Sequence, residues 1–173
     1  ADFNVNALNV TMDINATDIN VGDNEVITVS FSSDLNGTVT VVVDDMNYST
    51  SVSDGKAVIT ISGLSAGYKN ANVYYSGDTN HNSVLGNVSF AVNKIKSDMS
   101  VECNTPVSGE TIHVVVYLPS DATGTVTLAL EGKYYTAQVK DGKAVFDIPG
   151  LAAGKYNITA YYSGDDKYSG ISK

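Results

Sequence analysis

The sequence repeats itself without gaps at an offset of about 87 residues, and no other feature constrains the fold as strongly. Gly37-Thr38-Val39-Thr40 returns as Gly124-Thr125-Val126-Thr127, and Asp54-Gly55-Lys56-Ala57-Val58 returns as Asp141-Gly142-Lys143-Ala144-Val145. Further along, Tyr74-Tyr75-Ser76-Gly77-Asp78 matches Tyr161-Tyr162-Ser163-Gly164-Asp165. The stretch beginning at Gly22 and Gly109 holds about 26 identities, far above what shared composition produces. A chain of 173 residues with this pattern is two copies of one small domain.

Within each copy the apolar residues alternate, which is the period of a strand with one buried face. In the first copy the alternation predicts a strand through Leu8, Val10, Met12 and Ile14, then one through Ile27, Val29 and Phe31. Val39, Val41 and Val43 mark a third, Tyr48 a short fourth, and Ala57, Ile59 and Ile61 a fifth. Ala71, Val73 and Tyr75 mark the sixth, and Val88, Phe90 and Val92 the seventh. Seven short strands in fewer than about 90 residues predict an immunoglobulin-like β-sandwich. Its core is expected to hold Val39, Val41, Ile59 and Ile61, with Val126, Leu128, Phe146 and Ile148 in the second copy. Asp54-Gly55 and Asp141-Gly142 fall between strands four and five, where Asp-Gly makes a hairpin turn at positive φ. Leu151-Ala152-Ala153-Gly154-Lys155-Tyr156 has the spacing of a tyrosine corner, whereas the first copy places Tyr68 one residue early.

Composition agrees with an all-β chain. Val, Thr, Ser, Asn, Gly and Tyr dominate, Gln138 is the only Gln, and Arg is absent. Ten Lys against nineteen acidic residues give a net charge of -9. That balance, without clustered cations, argues against nucleic acid and anionic lipid as partners. At 43% hydrophobic residues the chain can build a core, which argues against disorder. No apolar run approaches the roughly 18–20 residues of a membrane span, so direct membrane insertion is not expected. The lone Cys103 has no partner for a disulfide and no neighbouring Cys or His for a metal.

The two ends of the sequence carry the next expectation. Asp2-Phe3-Asn4-Val5-Asn6 is similar to Ser89-Phe90-Ala91-Val92-Asn93, the seventh strand of the first copy, at the repeat offset. The expected division is therefore residues 1–6 as a seventh strand belonging to another domain, 7–93 as the first sandwich, and 94–173 as a second sandwich lacking its own last strand. Phe3 and Val5 are the expected strand-donation interface. The neighbour is either the next domain of a longer covalent array or a separate copy of the chain.

The quoted motifs, together with Leu64-Ser65-Ala66-Gly67 and its second-copy counterpart, resemble the group 3 bacterial Ig-like repeat. Their Asn-, Val- and Tyr-rich flavour is similar to the adhesin-like surface proteins of methanogenic archaea such as Methanobrevibacter. The resemblance covers nearly the whole chain. It implies tandem arrays on the cell surface, and so an extracellular structural module of a stalk or fibre. It carries over no catalytic or ligand site. The alternative is an adhesion module that binds glycan or protein on a host or partner cell, with Tyr74 and Tyr161 as contacts because Tyr offers a flat ring and a polar tip.

The residues themselves point away from catalysis. His81 and His113 stand opposite Tyr168 and Val26 at the repeat offset, so neither belongs to a repeated site, and no enzyme activity or cofactor is expected. Ser76-Gly77-Asp78 and Ser163-Gly164-Asp165-Asp166 offer one or two carboxylates each, short of the roughly six oxygens that Ca²⁺ takes. They read better as loops whose Asp bonds nearby amides. Asn-x-Ser/Thr sequons stand at Asn9, Asn15, Asn36, Asn47, Asn87 and Asn157. N-glycosylation there would suit an exported protein, although an Asn- and Thr-rich composition also produces sequons unaided.

Overall fold

The computed structural model describes residues 1–32 and 35–173 and forms two compact units, Ala1–Asn93 and Lys94–Lys173. No helix occurs among the described residues. In unit 1 the strands are β1 (Met12–Asn15), β2 (Ile19–Asn20), β3 (Glu25–Phe31), β4 (Thr38–Val43), β5 (Met46–Ser51), β6 (Lys56–Ile61), β7 (Gly67–Tyr75) and β8 (Val84–Asn93). They make one sheet of order β1-β3-β6 and another of order β2-β8-β7-β4-β5. All pairings are antiparallel except β2 with β8.

Alternation produces the core. In β6 the exposure runs strictly exposed, buried along Lys56–Ile61, and β7 does the same from Lys69 to Tyr75. The buried residues of both sheets meet in one cluster that includes Ile27, Val29, Val39, Val41, Val73 and Tyr75.

Unit 2 holds β9 (Ser100–Cys103), β10 (Ile112–Tyr117), β11 (Thr125–Leu130), β12 (Lys133–Gln138), β13 (Lys143–Ile148), β14 (Thr159–Tyr162) and β15 (Ile171–Ser172). Its sheets are β13-β10-β9 and β12-β11-β14-β15. The registers repeat those of unit 1. Val39 faces Tyr75 and Val126 faces Tyr162, while Ile27 faces Ile59 and Val114 faces Phe146. Val126, Leu128, Phe146 and Ile148 are buried, as are Val39, Val41, Ile59 and Ile61.

The hairpins explain their sequences. Asp54 and Gly55 have φ of 49° and 69°, and Asp141 and Gly142 have the same values, which is the double positive φ that a two-residue hairpin needs. The β4–β5 turn meets the same demand with Asp44 and Asp45, and the β11–β12 turn meets it with Glu131 and Gly132.

Three details correct the sequence reading. The first strand begins at Met12; Leu8 forms only an isolated bridge with His81 and is largely exposed. Strand β2 was not anticipated, because two residues are too short to show a period. Unit 2 does not wholly lack a last strand: Ile171 and Ser172 pair with Tyr162 and Tyr161 in the register that Val84 and Leu85 use against Tyr75 and Tyr74.

Candidate strand-exchange groove and exposed faces

The two units differ most along β8. In unit 1 this strand lies between β7 and β2, pairs with β7 from Val84 to Val92, and buries Phe90 and Val92 to 1% and 3% exposure. In unit 2 the corresponding strand is the two residues of β15, and its neighbour shrinks with it. β7 spans nine residues but β14 only four, and 154–158 carry no strand pairing. A β-strand needs a partner for its N–H and C=O groups, and Gly67–Ala71 of unit 1 find theirs in Val88–Val92 of β8.

Beside this unpaired stretch runs a groove of about 590 Å³ floored by Ile112, Leu130, Leu151 and Ile158 and flanked by Pro106 and Tyr156. Leu151 and Ile158 are half-buried there, whereas Leu64 and Ala71, at the same repeat positions in unit 1, are buried. Phe3 and Val5 are both 86% exposed, and residues 1–7 form no strand.

The corner beside the groove is built in two ways. In unit 2 the Tyr156 hydroxyl donates to the Ala152 carbonyl at 3.0 Å, as the spacing predicts. In unit 1 Tyr68 points out at 77% exposure, and Lys69 occupies the Tyr156 position. The Lys69 ammonium is buried and donates to Asp44 Oδ2 at 2.6 Å and to Ser65 Oγ at 3.0 Å, with Ser65 at the Ala152 position. An ion pair therefore ties unit 1 where a tyrosine ties unit 2.

The Ser-Gly-Asp motifs are loop staples. Asp78 accepts the Asn36 and Asn80 amides at 3.1 and 2.8 Å and His81 Nδ1 at 2.8 Å. Asp165 accepts the Thr123, Lys167 and Tyr168 amides at 2.7, 2.8 and 2.7 Å and the Tyr162 hydroxyl at 3.0 Å. Their oxygens are thus turned to the chain itself. No group of three metal-ligating side chains gathers among the described residues.

Partial desolvation pushes the Asp78 carboxyl up, but the Asn80 and Asn36 amides and the His81 ring outweigh it and hold it at about 2. Asp165 meets the same opposition and is also lowered, by the Thr123, Tyr168 and Lys167 amides and the Tyr162 hydroxyl. Burial, followed by the adjacent Asp165, raises the Tyr162 hydroxyl.

Both carboxyls fall below the ordinary aspartate value near 3.9. Each therefore contributes stability that is present above that value and is lost as pH falls through the folded value. Thermal unfolding is expected at constant temperature from neutrality to about pH 5 and at falling temperature between about pH 4 and 2. Asp78→Asn with Asp165→Asn should flatten that acid limb. A limb of unchanged steepness in the double variant would assign it to other carboxyls.

Of the remaining sequence candidates, all six sequon asparagines are exposed. Tyr74 and Tyr161 are 43% and 47% exposed on outer sheet faces. His81 is held by Asp78, and His113 lies on the exposed face of β10 with Nδ1 2.5 Å from Asp147 Oδ1. Cys103 is exposed and unpaired. Tyr134, at 73% exposure, was not singled out from the sequence, although the repeat offset sets Tyr135 at the position of Tyr48, the inward marker of the fourth strand, and so turns Tyr134 outward.

Residues 99–173 match the family model for the bacterial Ig-like domain (group 3). The match lies wholly within unit 2. No curated protein sequence matches the chain. Among solved structures, the chain is similar to part of a 1.5-MDa bacterial ice-binding adhesin at 17% identity and TM-score 0.42, covering 96% of this chain and 64% of that one. It is similar to fibronectin(III)-like modules of Clostridium thermocellum CbhA at 14% identity and TM-score 0.40, covering 94% and 91%. A biofilm-associated protein BSP domain follows at 21% identity and TM-score 0.35, covering 92% and 28%. The chain thus spans less than two thirds of the adhesin and biofilm chains.

Proposed function

We propose that the chain is an extracellular structural module of a cell-surface stalk or fibre, an adhesin-like element whose domains join end to end by completion of the unit 2 groove with a strand of the Phe3–Val5 type. One observation carries this reading. Unit 2 is open where unit 1 buries Phe90 and Val92, and the exposed Asp2-Phe3-Asn4-Val5-Asn6 has the alternation of the strand that fills the place in unit 1. The incoming strand is supplied either by a covalently adjoining domain or by another copy, and the partner in both cases is a neighbour of the same kind. N-glycosylation at exposed sequons fits such a surface role.

The test uses the full chain and a variant lacking residues 1–6. A synthetic peptide of those residues should raise the unfolding temperature of the truncated variant through unit 2, and a peptide with Phe3→Asp and Val5→Asp should not. The full chain should associate with rising concentration in sedimentation, and the truncated variant should not. A chain that stays monomeric and melts identically with or without the peptide would overturn strand completion by a separate copy.

A further inference from the structure

The outer face of the β12-β11-β14-β15 sheet, like that of the β2-β8-β7-β4-β5 sheet, turns no charged side chain outward. Alternation turns Thr125, Thr127 and Ala129 of β11 outward, with Thr136 and Gln138 beside them on β12. No outward-facing strand residue of this sheet is ionisable at neutral pH, although the chain carries nineteen acidic residues and ten lysines. The other sheet of the same unit turns Glu102, His113, Lys143 and Asp147 to solvent.

Two tyrosines rise from this neutral face. Tyr134 is opposite Ala129 and Tyr161 is opposite Thr127, so they stand on either side of β11, one side-chain row apart. Strand spacing and rise put their origins about 12 Å apart, with only Thr and Ala side chains between them. The result is a neutral sheet face with an exposed ring on either side of β11. The face carries hydroxyls in side-chain hydrogen bonds: Gln138 Nε2 donates to Thr125 Oγ1 at 3.2 Å, and Thr127 and Thr136 Oγ1 are 3.4 Å apart. A hydroxyl can donate once and accept twice, so each retains capacity for a ligand.

We infer that this face is a binding surface for an uncharged saccharide, with Tyr134 and Tyr161 stacking on two sugar rings and the threonine row meeting their hydroxyls. The chemistry selects that ligand. An anionic polymer meets a chain of net charge -9, and a cationic one finds no carboxylate on the face. An apolar protein partner needs a continuous apolar patch, which the threonines interrupt. A neutral polyol with C–H faces matches flat rings that are amphipathic and hydroxyls that both donate and accept. Unit 1 lacks this cross-strand pair, since Asn47 stands at the Tyr134 position and the other outward tyrosine, Tyr68, lies six residues from Tyr74 along β7 itself. The surface is independent of the groove and of residues 1–6.

Affinity electrophoresis of the full chain through gels containing galactomannan, xyloglucan or hydroxyethylcellulose tests this, with polygalacturonate and polymer-free gels as controls. Retardation is expected in at least one neutral gel and should persist at high salt. Tyr134→Ala with Tyr161→Ala should weaken it about tenfold or more. Tyr74→Ala and removal of residues 1–6 should leave it unchanged. Because both tyrosines are exposed, the double variant should melt as the parent does, so loss of retardation reports the surface and not unfolding. No retardation in any neutral gel, retardation that survives the double substitution, or stronger retardation in polygalacturonate would each overturn the assignment.

Discussion

Phe90→Ala is expected to destabilise unit 1 by about 3–5 kcal/mol, and Phe146→Ala to do the same to unit 2. Phe90 is 1% exposed and belongs to the strand that closes the sandwich between β7 and β2. Phe146 is 5% exposed on β13, in a cluster with Val114, Val116, Val126 and Leu128. Each truncation leaves a cavity in a close-packed layer, and the rigid sheets on either side cannot collapse to fill it. Urea unfolding followed by circular dichroism should show the transition of the altered unit moving to lower urea. A shift worth less than about 1 kcal/mol at Phe146 would mean that its side chain is not in the core.

Gly124→Ala should cost about 2–4 kcal/mol, combining the strain of an L-residue at positive φ with overpacking. Gly124 has φ of 88°, and a Cβ there would lie 2.7 Å from the Gly164 carbonyl oxygen and 2.9 Å from Ser163 Oγ. Gly37 repeats the arrangement against Gly77 and Ser76 at the same two distances. The Ser163 hydroxyl holds the junction by accepting the Thr125 amide at 3.1 Å and donating to the Gly164 carbonyl at 2.8 Å. Gly132→Ala is the control, since its φ is 73° but a Cβ would meet nothing within 4 Å. It should lose only the dihedral part, about 1 kcal/mol. Equal losses at the two glycines, measured by urea unfolding, would remove the steric contribution.

These glycines show how the repeat encodes the fold. Gly-Thr-Val-Thr and Tyr-Ser-Gly-Asp are far apart in sequence, yet each unit brings them into contact, the Gly of one motif against the Ser-Gly of the other. Their recurrence was legible in the chain. Their contact was not, because it depends on β4 pairing with β7 and β11 with β14 across the intervening hairpin and strand. Similarly, the spacing announced the Tyr156 corner, but that Lys69 and Asp44 take its place in unit 1 emerges only when the β4–β5 turn is folded beside the start of β7.

What the amino-acid sequence determined by itself was local or periodic: the all-β class, the two copies, the buried face of each long strand and the turns that need positive φ. Alternation of side chains and the steric demands of turns act within a few residues and leave a mark on every one of them. Tertiary structure alone decided the short parallel strand Ile19–Asn20, the two-residue strand Ile171–Ser172, and the ion pair of Lys69 with Asp44. Each of these follows from which strand lies beside which, a choice made by hydrogen-bond partners distant in sequence. In unit 1 such a partner holds Gly67–Ala71 in β7, whereas 154–158 at the same repeat positions carry no strand pairing beside the unit 2 groove.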